Sequence, residues 1–192
     1  HMSAIIESFS LSHAQVLDGS TPFETATLAS ADEYDIYGVN DGSLDPDVGE
    51  YANEGDDVEL SYWPWLNHAQ VNVKAGFLSF PLLATLTGRP VSSSSGANGL
   101  SYFTDLWHED SMNVAPKPML LRMPSKDHLG VVRTLVIGLY RVTFKPIMFD
   151  GPSYKNGLKV SYGGRANYST VDESGSPFTD GKKRVGRLIS LI

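Results

Sequence analysis

Apolar and polar residues alternate along most of the chain, which is the period of β-strands rather than of helices. In residues 58–73 the alternation is interrupted by Pro64, which indicates a bulge or an edge position. The residues between alternating segments are rich in Gly, Pro, Ser and Asp, which is typical of turns. Strands are predicted at 34–39, 58–73, 100–106, 119–123, 131–144, 158–169 and 185–191.

The segment 131–144 differs from the others because it is apolar on both of its faces. Leu135, Ile137 and Leu139 occupy one face of the predicted strand, and Tyr140 and Val142 occupy the other. A strand of this kind is buried on both sides. We expect it to lie either in the centre of a sandwich or against a neighbouring subunit.

One short helix is predicted at residues 80–87. Ser79 is a good N-cap, and Pro81 lies in the first turn, where its missing N–H costs nothing. Gly88 follows at the position where a left-handed residue ends many helices. The leucines between these signals form an apolar stripe that would pack on a sheet.

These elements predict a mainly β protein, an antiparallel β-sandwich or barrel with one short flanking α-helix. We expect a single domain over residues 3–192, with the opening His1-Met2 as the remnant of a purification tag. Two segments are expected to be loops. They are a mobile acidic loop at about 40–57 and a flexible Ser/Gly loop at about 90–99.

Composition excludes several classes of functional site. The 192 residues include no cysteine, which excludes disulfide frameworks, cysteine zinc sites and cysteine nucleophiles. No segment approaches the roughly 18 consecutive apolar residues of a membrane-spanning helix, so no membrane partner is expected.

Charge is divided very unevenly along the chain. Residues 1–73 contain 14 acids and no Lys or Arg, whereas residues 74–192 contain all 15 bases and 8 acids. Such a division suits an assembly in which the acidic face of one copy meets the basic face of the next. It disfavours a protein that grips DNA, because tight phosphate binding needs a positive surface.

Catalytic and metal-binding motifs are weak. The stretch 41–47 resembles a calcium loop, but Pro46 stands where the turn needs Gly and Ala52 where the bidentate acid belongs. The triplet 108–110, His-Glu-Asp, has no second His at metal-ligand spacing. Residues 175–183 lack the spacing of a phosphate loop. We therefore expect no cofactor, no metal and no catalytic residue.

Several stretches together resemble the major tail proteins of long, non-contractile-tailed bacteriophages, in particular those infecting actinobacteria. The resemblance spans residues 9–191, and the stretches that carry it are 37–44, 63–67, 80–88, 106–113, 157–165 and 181–187. It implies a β-sandwich or barrel flanked by a helix, which closes into hexameric rings. The rings stack head to tail around a tape-measure protein, join terminator or tip proteins, and pass DNA through their lumen. The implied location is the virion tail, assembled in the host cytoplasm, and the family has no catalytic residues.

In such an assembly, the acidic segment is expected to reach a neighbouring subunit or ring and to meet bases near the C-terminus. The predicted contact acids are Asp41, Asp45, Asp47, Glu50, Glu54, Asp56 and Asp57, and the predicted contact bases are Lys182, Lys183, Arg184 and Arg187. The segment 131–144 is a second candidate for subunit contact.

Other interpretations remain open. A β-sandwich binding module could recognise carbohydrate or a host-surface ligand through Trp63, Trp65 and Trp107. An enzyme would use His108, Glu109 or Asp110. Within the tail class, a terminator ring of similar fold would have the same sequence features.

Overall fold

The computed structural model of the chain confirms the predicted fold class, since it is mainly β, with antiparallel strands and one short α-helix. It describes residues 6–8, 11–19, 22–24, 35–55, 58–96, 99–104, 114–127, 129–150, 157 and 159–191. None of the helices in these ranges is long and apolar enough to cross a membrane.

The secondary structure comprises twelve strands and one helix over the described residues. In chain order they are β1 Ile6–Ser8, β2 His13–Val16, β3 Asp35–Ile36, β4 Val39–Gly55, β5 Val58–Ala75, α1 Phe80–Thr87, β6 Ser92–Gly96, β7 Gly99–Phe103, β8 Lys117–Asp127, β9 Val132–Phe144, β10 Met148–Asp150, β11 Lys159–Ala166 and β12 Gly186–Leu191.

Ten of the strands form one sheet around β9. Its main path has the order β3-β2-β8-β9-β11-β5-β4, with β1 beside β8, β10 beside β11 and β12 beside β9. Strands β6 and β7 form a separate hairpin. Strand β9 pairs with β8 along one edge, and along the other it pairs with β12 and, near Phe144, with β11. A sheet of this size curls so that its apolar surfaces can be covered.

The core consists of two apolar clusters, one on each face of β9. The larger cluster contains the inward side chains of β5, β8 and β11 together with the leucines of α1: Val71, Val73, Leu82, Leu83, Met119, Leu121, Leu139, Val142 and Tyr162. The smaller cluster contains Leu17, Phe23, Leu120, Val136 and Tyr140. Both faces of β9 are thus covered by the chain itself, with Leu135 and Ile137 partly buried.

A bulge in β9 changes which side of the sheet its residues face. Met119 pairs with Leu139 and Lys117 pairs with Val142, so two steps along β8 correspond to three along β9. The extra residue places Val142 in the same cluster as Leu139. Simple alternation places Val142 with Tyr140, and that part of the sequence prediction is wrong because alternation does not reveal a bulge.

Helix α1 forms at the residues predicted from the sequence, with the predicted cap and stop. The backbone N–H of Leu82 donates to Ser79 Oγ at 3.4 Å, and Pro81 lies in the first turn. Gly88 ends the helix at a φ of 70°, in the left-handed region that favours glycine. The helix buries Leu82 and Leu83 in the larger cluster.

The structure corrects the prediction of two loops. Residues 40–55 are not a loop but most of strand β4, paired with β5, and Asp56 and Asp57 lie outside the described residues. Pro46 is tolerated there because β4 is an edge strand among the described residues. Residues 92–96 are strand β6, paired with β7. In both cases the segment is a strand because it pairs with a neighbouring strand, which its local composition does not indicate.

Candidate functional site

The β4–β5 hairpin is longer than the sheet to which it belongs. Strand β11 pairs with β5 only from Ala69 to Ala75, so the earlier half of β5 pairs with β4 alone among the described residues. We call residues 48–55 and 58–66 the arm. The chain from 48 to 66 contains five acids and no base: Glu50, Glu54, Asp56, Asp57 and Glu59.

At the base of the arm, the indole ring of Trp65 packs on Gly49. Trp65 is the register partner of Gly49, and a Cβ atom on Gly49 would lie 2.5 Å from the Trp65 indole. The indole Nε1 donates to Asn67 Oδ1 at 2.9 Å, and Asn67 Nδ2 donates to Asp47 Oδ2 at 3.3 Å. The side chain of Trp65 nevertheless stays 48% exposed, as does that of Val48.

Beside the arm, the outward face of β4, β5 and β11 is polar. The inward residues of these strands belong to the larger apolar cluster, and the outward ones carry polar side chains on three adjacent strands. We call this surface the polar face, and its residues are Ser43, Asp45, Asp47, His68, Gln70, Asn72, Lys74, Ser161 and Arg165. Asp41 is the register partner of Lys74 at one end of it.

His68 is the most buried residue of the polar face, and it connects all three strands. Its Nδ1 lies 3.1 Å from Asp47 Oδ2 and 3.0 Å from Arg165 Nη2, and its Nε2 lies 3.0 Å from Gln70 Nε2. Gln70 Oε1 in turn accepts a hydrogen bond from Lys145 Nζ at 3.1 Å. Asp47, Lys145 and Arg165 are therefore each bonded to a side chain of the protein, and each of them is also exposed.

The predicted basic contact residues divide into two groups. Arg184 donates to Asp180 Oδ2 at 2.8 Å and lies over the ring of Phe178, and Arg187 donates to Glu24 Oε1 at 2.6 Å. The hydrogen bond from Arg184 also lowers the pKa of Asp180 from its ordinary value.

The other two bases, Lys182 and Lys183, are exposed. Among the described residues, no ion pair joins any of the four bases to Asp41, Asp45, Asp47 or Glu50. Within the described part of the chain, these four acids are therefore not brought together with the predicted bases.

An apolar pocket of about 650 Å³ lies where β5 leads into α1. Its described lining comes from four separate stretches of sequence: Tyr37, Phe77, Leu78, Ser79, Phe80, Pro81, Val91 and Tyr102. Phe77 and Tyr102 are 65% and 53% exposed. Sequence reasoning missed this pocket, and the only local signal for it is the apolar run before the helix.

The remaining candidate residues lie wholly or partly outside the described part of the chain, among them the side chain of Glu54. The side chain of Trp63 and all of Trp107, His108, Glu109 and Asp110 lie outside the described residues. Where the structure is described, no cluster of three or more His, Cys, Asp or Glu residues could hold a metal ion.

No protein-family model matches the chain, and no curated protein sequence matches it significantly.

Proposed function

We propose that this protein is the subunit of a bacteriophage tail tube, which forms hexameric rings that stack head to tail and pass DNA to the host. The observation that supports this most directly is the open edge of β4. This strand runs from Val39 to Gly55, and among the described residues it pairs only with β5.

An open edge of this length needs either protection or a partner. Unpaired N–H and C=O groups on an edge strand are a template for pairing with another chain. The charged residues Asp41, Asp45 and Asp47 on β4 discourage indiscriminate pairing, and Pro46 interrupts its hydrogen-bonding potential. In a closed ring, each β4 edge is covered by the neighbouring subunit, so the ring has no free edges of this kind.

The polar face suits a channel for DNA. Exposed carboxylates on β4 repel the phosphate backbone, and tight DNA binding would instead require cations free to displace counterions. The bases on and beside this face, Lys74, Lys145 and Arg165, are matched in number by Asp41, Asp45 and Asp47, so the face carries no net positive charge. A lumen lined by this face would let DNA slide without retaining it.

The proposed partners are other copies of this chain, a tape-measure protein inside the tube, and terminator or tip proteins at its ends. The proposed location is the virion tail. A terminator ring is the alternative within this class, and it differs in forming one ring that does not stack.

Light scattering and electron microscopy on concentrated protein over a salt series test the proposal. Hexameric rings or tubes with a channel wide enough for duplex DNA are expected, with assembly weakening as salt screens the contacts between charged faces. Single rings that never stack would favour a terminator. Compact dimers without a channel, or a monomer that does not extend added preformed tubes, would contradict the proposal.

A carbohydrate-binding module is the second candidate, because the Trp65 ring is 48% exposed and amphipathic aromatic rings of this kind are suited to ligand contacts. In that case glycans should protect Trp65 from a soluble fluorescence quencher. In a tube subunit, assembly rather than glycan should protect it. A glycan screen with quenching as the readout separates the two functions.

A further inference from the structure

The arm and the apolar pocket lie at opposite ends of strand β5. The arm ends at Leu66, and β5 continues for nine residues to Ala75, just before Phe77 at the pocket. At roughly 3.3 Å per residue, this separates the two features by about 30 Å along the strand. A contact between them therefore needs two copies of the chain.

The arm has apolar surface that the chain itself leaves uncovered. Val48 and Trp65 each remain 48% exposed at the base of the arm. A two-stranded ribbon with no further sheet partner is only marginally stable in water. Packing of its apolar side chains on another surface would stabilise it.

The pocket is lined by apolar side chains, which could pack against an apolar side chain of the arm. Its lining is almost wholly aromatic or aliphatic, and the ring of Phe80 lies 6.2 Å from that of Tyr102, centroid to centroid. An exposed apolar pocket of this size is typical of a site that receives side chains from a partner.

The charges around the two features are complementary. The chain from 48 to 66 contains five acids and no base, whereas the chain from 76 to 104, which supplies most of the pocket, contains Arg89 and no acid. Arg89 is two residues from Val91 in the pocket lining. Complementary fields of this kind select one docking orientation over others.

We propose that the arm of one copy seats in the apolar pocket of the next copy along the tube, with Val48 in the pocket and Glu50, which faces the same side of the arm, near Arg89. The contact is heterologous, because the two surfaces differ, and such contacts build open stacks rather than closed dimers. This inference rests on the proposed function, to which it adds the contact between successive rings.

The chain contains no cysteine, so a crosslinker specific for thiols reacts only at cysteines that are introduced. V48C protein is mixed with separately purified Y102C protein and treated with a short bis-maleimide. A heterodimer is expected at several-fold higher yield than from the control mixture of V48C with L188C. Position 188 is a suitable control because it is 65% exposed and lies outside the pocket lining. Equal yields would overturn the contact. A higher yield from a mixture of L129C with Y102C would also overturn it, because Leu129 is 76% exposed and lies outside the arm.

A charge exchange provides a second test that does not depend on crosslinker geometry. E50K and R89E are each expected to reduce self-association several-fold, and the E50K/R89E double variant is expected to recover most of it. Circular dichroism and thermal unfolding verify that all three variants fold. Additive losses in the double variant would show that these residues do not face each other.

The outcomes separate this contact from the proposed function. Tubes with a DNA-wide channel but no V48C–Y102C crosslink would retain the function and reject the contact. A strong crosslink within filaments that lack a channel would retain the contact and reject the tube. A protein that neither assembles nor crosslinks would reject the contact.

Discussion

The indole of Trp65 covers the backbone of Gly49, its partner on the neighbouring strand, and no side chain larger than hydrogen fits beneath it. The pair lies where the β4–β5 hairpin leaves the sheet. An aromatic ring over a strand glycine compensates for the missing side chain and secures the register. This relationship orients the arm on which the proposed contact depends.

Replacing Gly49 with valine should displace the Trp65 ring. The new side chain would overlap the indole, so Trp65 should become more accessible to a soluble quencher. Fluorescence quenching in a W63F/W107F background measures this effect. Gly96→Ala is the matched control, because a Cβ there meets no atom within 4 Å. Unchanged quenching in G49V would contradict the packing of this pair.

Removing the arm should abolish assembly while the domain stays folded. The suitable variant replaces residues 48–67 with Asn-Gly, a sequence that favours a tight hairpin turn between Asp47 and His68. A deletion of residues 44–55 alone is unsuitable, because it removes Leu44, which packs against the core, and leaves β5 without its partner. The expected result is a cooperative thermal transition without rings or tubes in electron micrographs. Normal tubes from this variant would show that the arm plays no part in assembly.

Burial of Tyr162 should make the protein less stable in alkaline solution. Desolvation raises the pKa of this phenol from 10.0 to about 12. The folded state favours the neutral form, so the stabilisation is complete below pH 10 and is lost as the pH rises from 10 to 12, by up to about 3 kcal/mol. Urea unfolding at pH 9 and pH 11 measures this loss. Tyr162→Phe should flatten the pH dependence, whereas Tyr102→Phe, at an exposed ring, should leave it in place.

Shortening a side chain should destabilise the protein at the centre of strand β9 but not at its end. Leu139→Ala removes a side chain that is 2% exposed and should lower the unfolding free energy by about 2–4 kcal/mol. Val132→Ala, at a position 67% exposed, should change it by less than about 0.5 kcal/mol. Chemical denaturation of both variants gives the comparison. A similar loss at both positions would mean that Val132 is covered in an assembly present under the conditions of the experiment.

Local signals in the sequence were enough wherever the interactions themselves are local. The helix from Phe80 to Thr87 was predictable because its cap at Ser79 and its stop at Gly88 act within a few residues. The two apolar faces of β9 were visible in the alternation of its residues, since a strand's side chains alternate whatever its neighbours are. The unequal division of charge is likewise a property of the chain alone.

Tertiary structure decided what depends on partners distant in sequence. Acids, glycines and Pro46 make residues 40–55 resemble a loop, and only pairing with β5 makes them a strand. The bulge that turns Val142 toward Leu139 depends on the register with β8, which alternation along β9 does not contain. The pocket joins Tyr37, Phe77 and Tyr102 from three separate stretches. Composition and periodicity thus determined the fold class and the helix, whereas strand register and edge exposure, which determine the surfaces available for assembly, arise only when distant segments pack.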